Sequence, residues 1–335
     1  MVELAPVTPG GTKHEALHTA LRSAEEAEAL GYHRIWYAEH HNTAGYAAQD
    51  PATLIALAAQ RTRNIRVGSG TVLLNHYSPF SVAERFLQLE ALTPGRIDLG
   101  LGRATTGPLV DAALRRDRSC RPVDDFSSQV QEILAYYHHA FEPGHPFTSI
   151  DITAGVEGTP EVWILGSSGN SAGLAGQLGL GYAFSGFINP PMAAAGLQTH
   201  RERFRVTPFG PAGHEAILAL NIVAADDEET AHRLTWPARG LFHRLSSGQE
   251  AITPTLAEAE ATLSPALKDE SSRFEGSTIP RQLSGTVQTL RSQLEGIVRL
   301  TGATEIMVQD MLVDHELRSR SRERVAEAIA GIELP

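Results

Sequence analysis

Short apolar runs recur along the chain, each followed by a turn and then by a stretch whose apolar residues fall at helical spacing. Runs at 2–6, 34–38, 65–74, 97–102, 162–165, 182–187, 217–225 and 305–311 are rich in β-branched, leucine and aromatic residues and read as eight strands. Helical stretches follow at 15–30, from 50 onward, at 80–92 and 124–139, up to 178, at 190–204, from 226, at 286–300 and at 316–329. The punctuation agrees: Gly31 closes the first helix, and Asp50-Pro51 supplies an N-cap followed by proline in the first turn. Eight strand-then-helix units in a single domain, 1–335, fit a (β/α)8 TIM barrel; an open doubly wound sheet is the alternative.

Two stretches break the alternation. Residues 145–160 are polar and punctuated by Gly and Pro, and read as a small excursion before the fifth strand. Residues 246–284 form a long insertion between strands seven and eight, mixing Ser, Pro, Thr and Glu with little apolar period. Such a segment is either a mobile surface excursion or a lid over an active site.

Composition narrows the partners. The chain has 335 residues, 42% hydrophobic and 20% charged, with a net charge of −11. That acidity argues against nucleic acid or anionic membrane as partners, since both need basic patches. No apolar run approaches the ~18 residues that crossing a bilayer needs, and no secretory signal is visible, so the expected setting is cytoplasmic. The single cysteine, Cys120, allows neither an internal disulfide nor a thiolate metal cage, and reads as a bystander.

In a barrel of this kind the active site lies at the C-terminal ends of the strands. Strand two ends in Glu39-His40-His41-Asn42, strand three carries Ser69-Gly70 and runs into Asn75-His76-Tyr77, and strand four ends in Arg103 before Thr105-Thr106. Strand five ends in Ser167-Ser168-Gly169-Asn170-Ser171, and strand eight carries Gln309-Asp310. These polar groups converge on one rim. Consecutive strand side chains face opposite ways, so His40 and His41 do not readily share an ion, and no metal site is expected. Gly100-Leu101-Gly102 resembles half a dinucleotide fingerprint but has Thr105 where the third glycine belongs, so that reading fails. Ser167–Ser171 before a helix is either an ordinary N-cap or, together with Arg103, an anion site on free backbone N–H groups.

The blocks AEHHN, VGSGTVLLNHYSPFSVAERFLQLEALTPGRIDLGLGR and ILGSSGNSAGLAGQLGLGYAF resemble the bacterial-luciferase-like flavin-dependent monooxygenases, within them the luciferase family oxidoreductases, some of which serve antibiotic biosynthesis. The resemblance runs from about residue 2 to 329 and is loosest over 246–284. It implies a homodimeric TIM barrel whose FMN arrives reduced from a separate flavin reductase, takes up O2 as a C4a-(hydro)peroxyflavin and oxygenates a small organic substrate. It also implies His40 as the catalytic histidine, managing a proton near neutral pH, with Glu39, His41 and Asn75 supporting it. Ser69 and Gly70 would lie against the flavin ring, often through a non-proline cis peptide. Arg103 would reach the phosphate, with Ser167, Ser168, Asn170 and Ser171 on the phosphate-binding turn. Gly102 stands where true luciferases carry a reactive cysteine, which argues against light emission. The same superfamily contains deazaflavin (F420)-dependent reductases and dehydrogenases, and non-catalytic flavin-binding relatives; both are rival expectations.

Overall fold

The computed structural model of the chain describes residues 1–103, 106–115 and 124–334. Thr105 and Cys120 lie outside them. Among the described residues there are ten strands: β1 (Val2–Glu3), β2 (Arg34–Tyr37), β3 (Arg66–Ser69), β4 (Val72–Leu73), β5 (Ile97–Gly102), β6 (Glu161–Gly166), β7 (Gly181–Ser185), β8 (Ala216–Ala224), β9 (Gln282–Gly285) and β10 (Glu305–Gln309). All pair in parallel. The order β10-β1-β2-β3-β5-β6-β7-β8 returns to β10, so eight strands close a barrel. Helices cover its outside, as parallel strands buried on both faces require; all nine residues of β8 are buried.

The strands lie within a few residues of their sequence-based positions, with two refinements. Strand three is broken: a cis peptide bond joins Gly70 to Thr71, one residue beyond the Ser69-Gly70 pair, and β4 resumes after it against β5. The short strand β9 was not anticipated. It pairs with the upper half of β8, while β10 pairs with the lower half.

One end of the barrel is sealed by charge. Asp98 is fully buried and accepts hydrogen bonds from Arg34 Nη1 at 2.7 Å, Arg66 Nε at 2.8 Å and Trp36 Nε1 at 2.7 Å. Trp36 packs edge-to-face on Trp163 at 5.6 Å between centroids. A carboxylate this deep is tolerable only with such partners. Gly68 makes room for it, since a Cβ there would come within 2.5 Å of the Asp98 Cβ.

A second buried cluster ties the first and last elements together. Asp310, expected on the rim, turns away from it: its carboxylate takes Arg318 Nε at 2.5 Å and Arg322 Nε at 2.8 Å. The reason is strand alternation, since Gln309 beside it takes the inward face. Glu3 joins the same two arginines; burial alone would raise its carboxyl, but Arg318 and Arg322 outweigh this and hold it at about 2.

The stretch after β8 carries helices Glu228–Arg233, Trp236–Ser246, Leu256–Thr262 and Pro265–Lys268 before β9. His232 bridges the Ser272 hydroxyl and the Lys268 carbonyl at 2.9 and 2.7 Å, and Thr253, Ser272 and Ile279 are buried. No helix of the described residues is long and apolar enough to cross a membrane.

Candidate active site

A cavity of about 990 Å³ opens at the C-terminal end of the strands. Its wall includes Glu39, His40, His41, Gly70, Arg103, Ser167, Ser168, Asn170 and Ser171, so most of the rim residues named from sequence meet in one space. Ser69 and Asn75 are not on that wall. Ser69 is fully buried, its hydroxyl donating to the Gly100 carbonyl and accepting from the Gly100 amide, both at 2.9 Å, which stitches β3 to β5. Asn75 lies behind the rim and donates to the Arg103 carbonyl at 3.4 Å.

Glu39 is a buried anchor. Its carboxylate accepts from the Leu73 amide at 3.0 Å and the Tyr77 hydroxyl at 2.8 Å, and lies 2.7 Å from His41 Nε2. This ties the exit of β2 to the chain beyond the cis bond and fixes the His41 ring. His40, next to it, is left free for other work. Among the described residues its ring makes no hydrogen bond, its Nδ1 is buried without a partner, and its face lies against Tyr46 at 4.7 Å. Burial, helped by the neighbouring His41, pushes the His40 imidazole down to about 4. His40 is therefore neutral near pH 7, a hydrogen-bonding group rather than the near-neutral titrator expected from its type; desolvation penalises the imidazolium.

The β3–β4–β5 wall is kept flat by glycine. A Cβ on Gly70 would sit 3.0 Å from the Trp36 Cβ, and one on Gly102 2.7 Å from the Thr71 methyl. Thr71, unremarked in the sequence, lines the cavity and donates to the Gly100 carbonyl at 2.9 Å. The β6 turn is equally tight: a Cβ on Gly166 would collide with the Ser171 hydroxyl, which also contacts Tyr182 at 3.0 Å. Helix Gly169–Leu178 begins here, its N-cap Ser168 makes no side-chain cap hydrogen bond, and Ser168, Asn170 and Ser171 of this first turn line the cavity. Arg103, at the end of the neighbouring strand β5, is exposed and paired with Asp124 at 2.9 Å.

Sequence reasoning also missed Tyr46, Leu241, Phe242, Leu245 and Ala251, which line the cavity. These last four come from helix Trp236–Ser246 and the residues just after it. A Cβ on Gly45 would overlap the Ala251 carbonyl, so the two loops close on each other. Among the described residues no group of three or more His, Cys, Asp or Glu is placed to hold a metal ion.

The chain is similar to known proteins over nearly its whole length. A luciferase-like monooxygenase of Escherichia coli (strain K12) is 35% identical over 325 residues, covering 96% of this chain and 94% of that one. The crystal structure of apo-MsnO8 superposes with a TM-score of 0.88 at 36% identity, covering 98% and 97% of the two chains. The oxygenating constituent of 3,6-diketocamphane monooxygenase from Pseudomonas putida, a type II Baeyer–Villiger monooxygenase solved in complex with FMN, shares the fold at a TM-score of 0.72 and 20% identity, covering 100% and 99%. The family model described as luciferase-like monooxygenase matches residues 2–305, and the chain belongs to that family.

Proposed function

We propose that this chain is a monooxygenase that takes reduced FMN from a separate flavin reductase and uses O2 to oxygenate a small organic substrate, working as a homodimer. The observation that carries this is the meeting of a glycine-flattened wall at Gly70 and Gly102, the Arg103 guanidinium and the Ser167–Ser171 turn around one cavity. Those residues suit a planar ring with a phosphate tail: Arg103 and the helix amides take the anion, and Gly70 and Thr71 face the ring. Bound reduced flavin would supply the two electrons that reduce O2, one oxygen atom going to the substrate and the other to water.

The remaining work falls to the chain. His40, neutral and with a buried unpartnered Nδ1, offers a hydrogen bond where flavin and substrate meet. Tyr46, Leu241, Phe242 and Ala251 shut out water, and we assign the cover to helix Trp236–Ser246 and the start of the 246–284 stretch rather than to the whole of it.

Anaerobic titration with reduced FMN, in parallel with a reduced deazaflavin, followed by an oxygen pulse, tests the proposal. Tight binding of reduced FMN and substrate-dependent product formation with O2 are expected. Hydride transfer from the deazaflavin alone, without oxygen consumption, would replace the oxygenase reading with a dehydrogenase one.

A further inference from the structure

His40 and Tyr46 share one stretch of the cavity wall. The His40 ring is partly buried, and its Nδ1 is sealed from solvent without a partner, so Nε2 is the nitrogen it can offer to the cavity. One face of the ring is covered too. Tyr46, itself buried, lies on the imidazole with the ring centroids 4.7 Å apart and the planes tilted by 36°.

Backbone fixes this contact from both sides. Val7 donates its amide to the Gly45 carbonyl, Ala47 to the Ala5 carbonyl and His40 to the Ala48 carbonyl, each at 2.9 Å. From the other side comes the chain that follows helix Trp236–Ser246. It approaches so closely that a Cβ on Gly45 would overlap the Ala251 carbonyl, and the buried Thr253 lies beside the Tyr46 phenol. The Tyr46 ring therefore has little freedom to leave the imidazole.

The enclosure decides which nitrogen carries the proton. A neutral imidazole has one N–H and one lone pair. A buried N–H without an acceptor is a rarer and costlier defect than a lone pair left unused. Nδ1 has no acceptor within the protein, and the Tyr46 ring denies it water, so the proton belongs on Nε2. The other titratable groups of the cavity wall leave that arrangement alone. Glu39 and His41 are engaged with each other at 2.7 Å, as are Arg103 and Asp124 at 2.9 Å, and the Tyr46 phenol, pushed up to about 12 by burial, is neutral. His41 acts on His40 only by opposing a positive charge there.

We propose that Tyr46 is a positioning residue whose ring fixes His40 as the neutral Nε2–H tautomer, so that His40 serves the cavity as the donor of one hydrogen bond and not as a base. Such a donor, in a site poor in water, suits an oxygen on which negative charge develops. The identity of the molecule bearing that oxygen rests on the oxygenase reading; the tautomer and the Tyr46 contact are properties of the chain alone.

The test is nitrogen NMR of flavin-free protein carrying nitrogen-labelled histidine, with His40 identified by the signals that His40→Gln removes. The wild type is expected to show a protonated Nε2 and an unprotonated Nδ1 throughout pH 6 to 8, and Tyr46→Phe, which keeps the ring, to show the same. Tyr46→Ala lets water reach Nδ1: its two nitrogens are expected to average over both tautomers, and the titration midpoint to rise from about 4 toward the ordinary 6.5. Tyr46→Val serves if Tyr46→Ala does not fold. In the oxygenase assay, turnover is expected to fall about 10²-fold in Tyr46→Ala and to be kept in Tyr46→Phe, with the affinity for reduced FMN little changed in either. A proton on Nδ1 in the wild type overturns the tautomer, and unchanged nitrogen shifts and midpoint in the folded small-residue variant overturn the role of Tyr46. Failure of every one of these proteins to bind reduced FMN would remove the oxygenase reading and leave the NMR result standing.

Discussion

Glu39, at the exit of β2, and Tyr77, beyond the break in the third strand, are joined by a hydrogen bond of 2.8 Å from the phenol to the buried carboxylate. The same carboxylate holds the Leu73 amide and faces His41, so one side chain fixes both walls beside His40. Removing one member of a buried polar network strands its partners. Glu39→Ala is expected to cost about 3 kcal/mol in chemical denaturation, whereas Tyr77→Phe, which leaves the Leu73 and His41 contacts, should cost only about 1 kcal/mol. Equal losses in the two variants would show that Glu39 is not the hub.

His40 is expected to matter for turnover and little for flavin affinity. Its ring is unpaired within the protein, so His40→Ala breaks no internal bond, yet it removes the polar group at the buried end of the site. A loss of about 10²–10⁴ in substrate turnover with near-unchanged binding of reduced FMN is the expected result. Because the imidazole sits at about 4, the wild-type pH–rate profile should show no limb from it between pH 6 and 8. An inflection in that range that disappears in His40→Ala would contradict a neutral His40.

Acid stability should depend on a histidine remote from the cavity. His200 is fully buried, donates from Nε2 to the Leu180 carbonyl at 2.9 Å, and is pushed down to about 4 by burial, with His214 adding to the effect. The unfolded chain binds a proton near pH 6.5 that the folded one refuses until pH 4, so stability is full above pH 6.5 and falls as pH drops through that window. The contribution of this one residue is on the order of 3 kcal/mol at pH 4. His200→Gln keeps a donor for Leu180 and does not titrate, so its denaturation midpoint should fall less than the wild type's between pH 7 and 4. Parallel losses in both proteins would assign the acid limb elsewhere.

Gly102 and Thr71 should behave as a coupled pair. A Cβ at 102 would lie 2.7 Å from the Thr71 methyl and 3.0 Å from its hydroxyl, and that hydroxyl holds the Gly100 carbonyl on the cavity wall. Gly102→Ala is expected to lower both the melting temperature and FMN affinity, and Thr71→Ser, which deletes the methyl and keeps the hydroxyl, to restore much of both. Additive losses in the double variant would mean that the crowding is relieved in some other way.

The barrel was legible because each strand is a compact apolar run with a turn and a helix after it; a nine-residue buried strand such as β8 has few other readings. The rim was legible because polar residues at the ends of such runs have few places to go. What stayed hidden depends on distance in three dimensions. Ser69 looks like a cavity residue until its hydroxyl is seen bonded to Gly100, and Asp310 until Arg318 and Arg322 close on it. The shift of His40 comes from burial, which no spacing reveals. Tyr46 follows His40 closely in the chain, but its ring covering the imidazole belongs to the folded chain alone.

Arg103 and Asp124 form an exposed pair at 2.9 Å, with side chains 56% and 72% exposed, so the bond itself contributes little to stability. Its use would be to hold the guanidinium at the mouth until an anion with more charge and better geometry takes it over. Arg103→Ala should therefore weaken reduced FMN binding by about 10- to 100-fold, the loss of one charge-assisted contact, while leaving reduced riboflavin, which lacks the phosphate, almost unaffected. Asp124→Asn should do the opposite and bind FMN as tightly as the wild type or more so, because a competitor for the arginine is gone. If Arg103→Ala weakens riboflavin and FMN alike, the guanidinium braces the wall rather than the phosphate, and the anion site would have to rest on the Ser167–Ser171 turn alone.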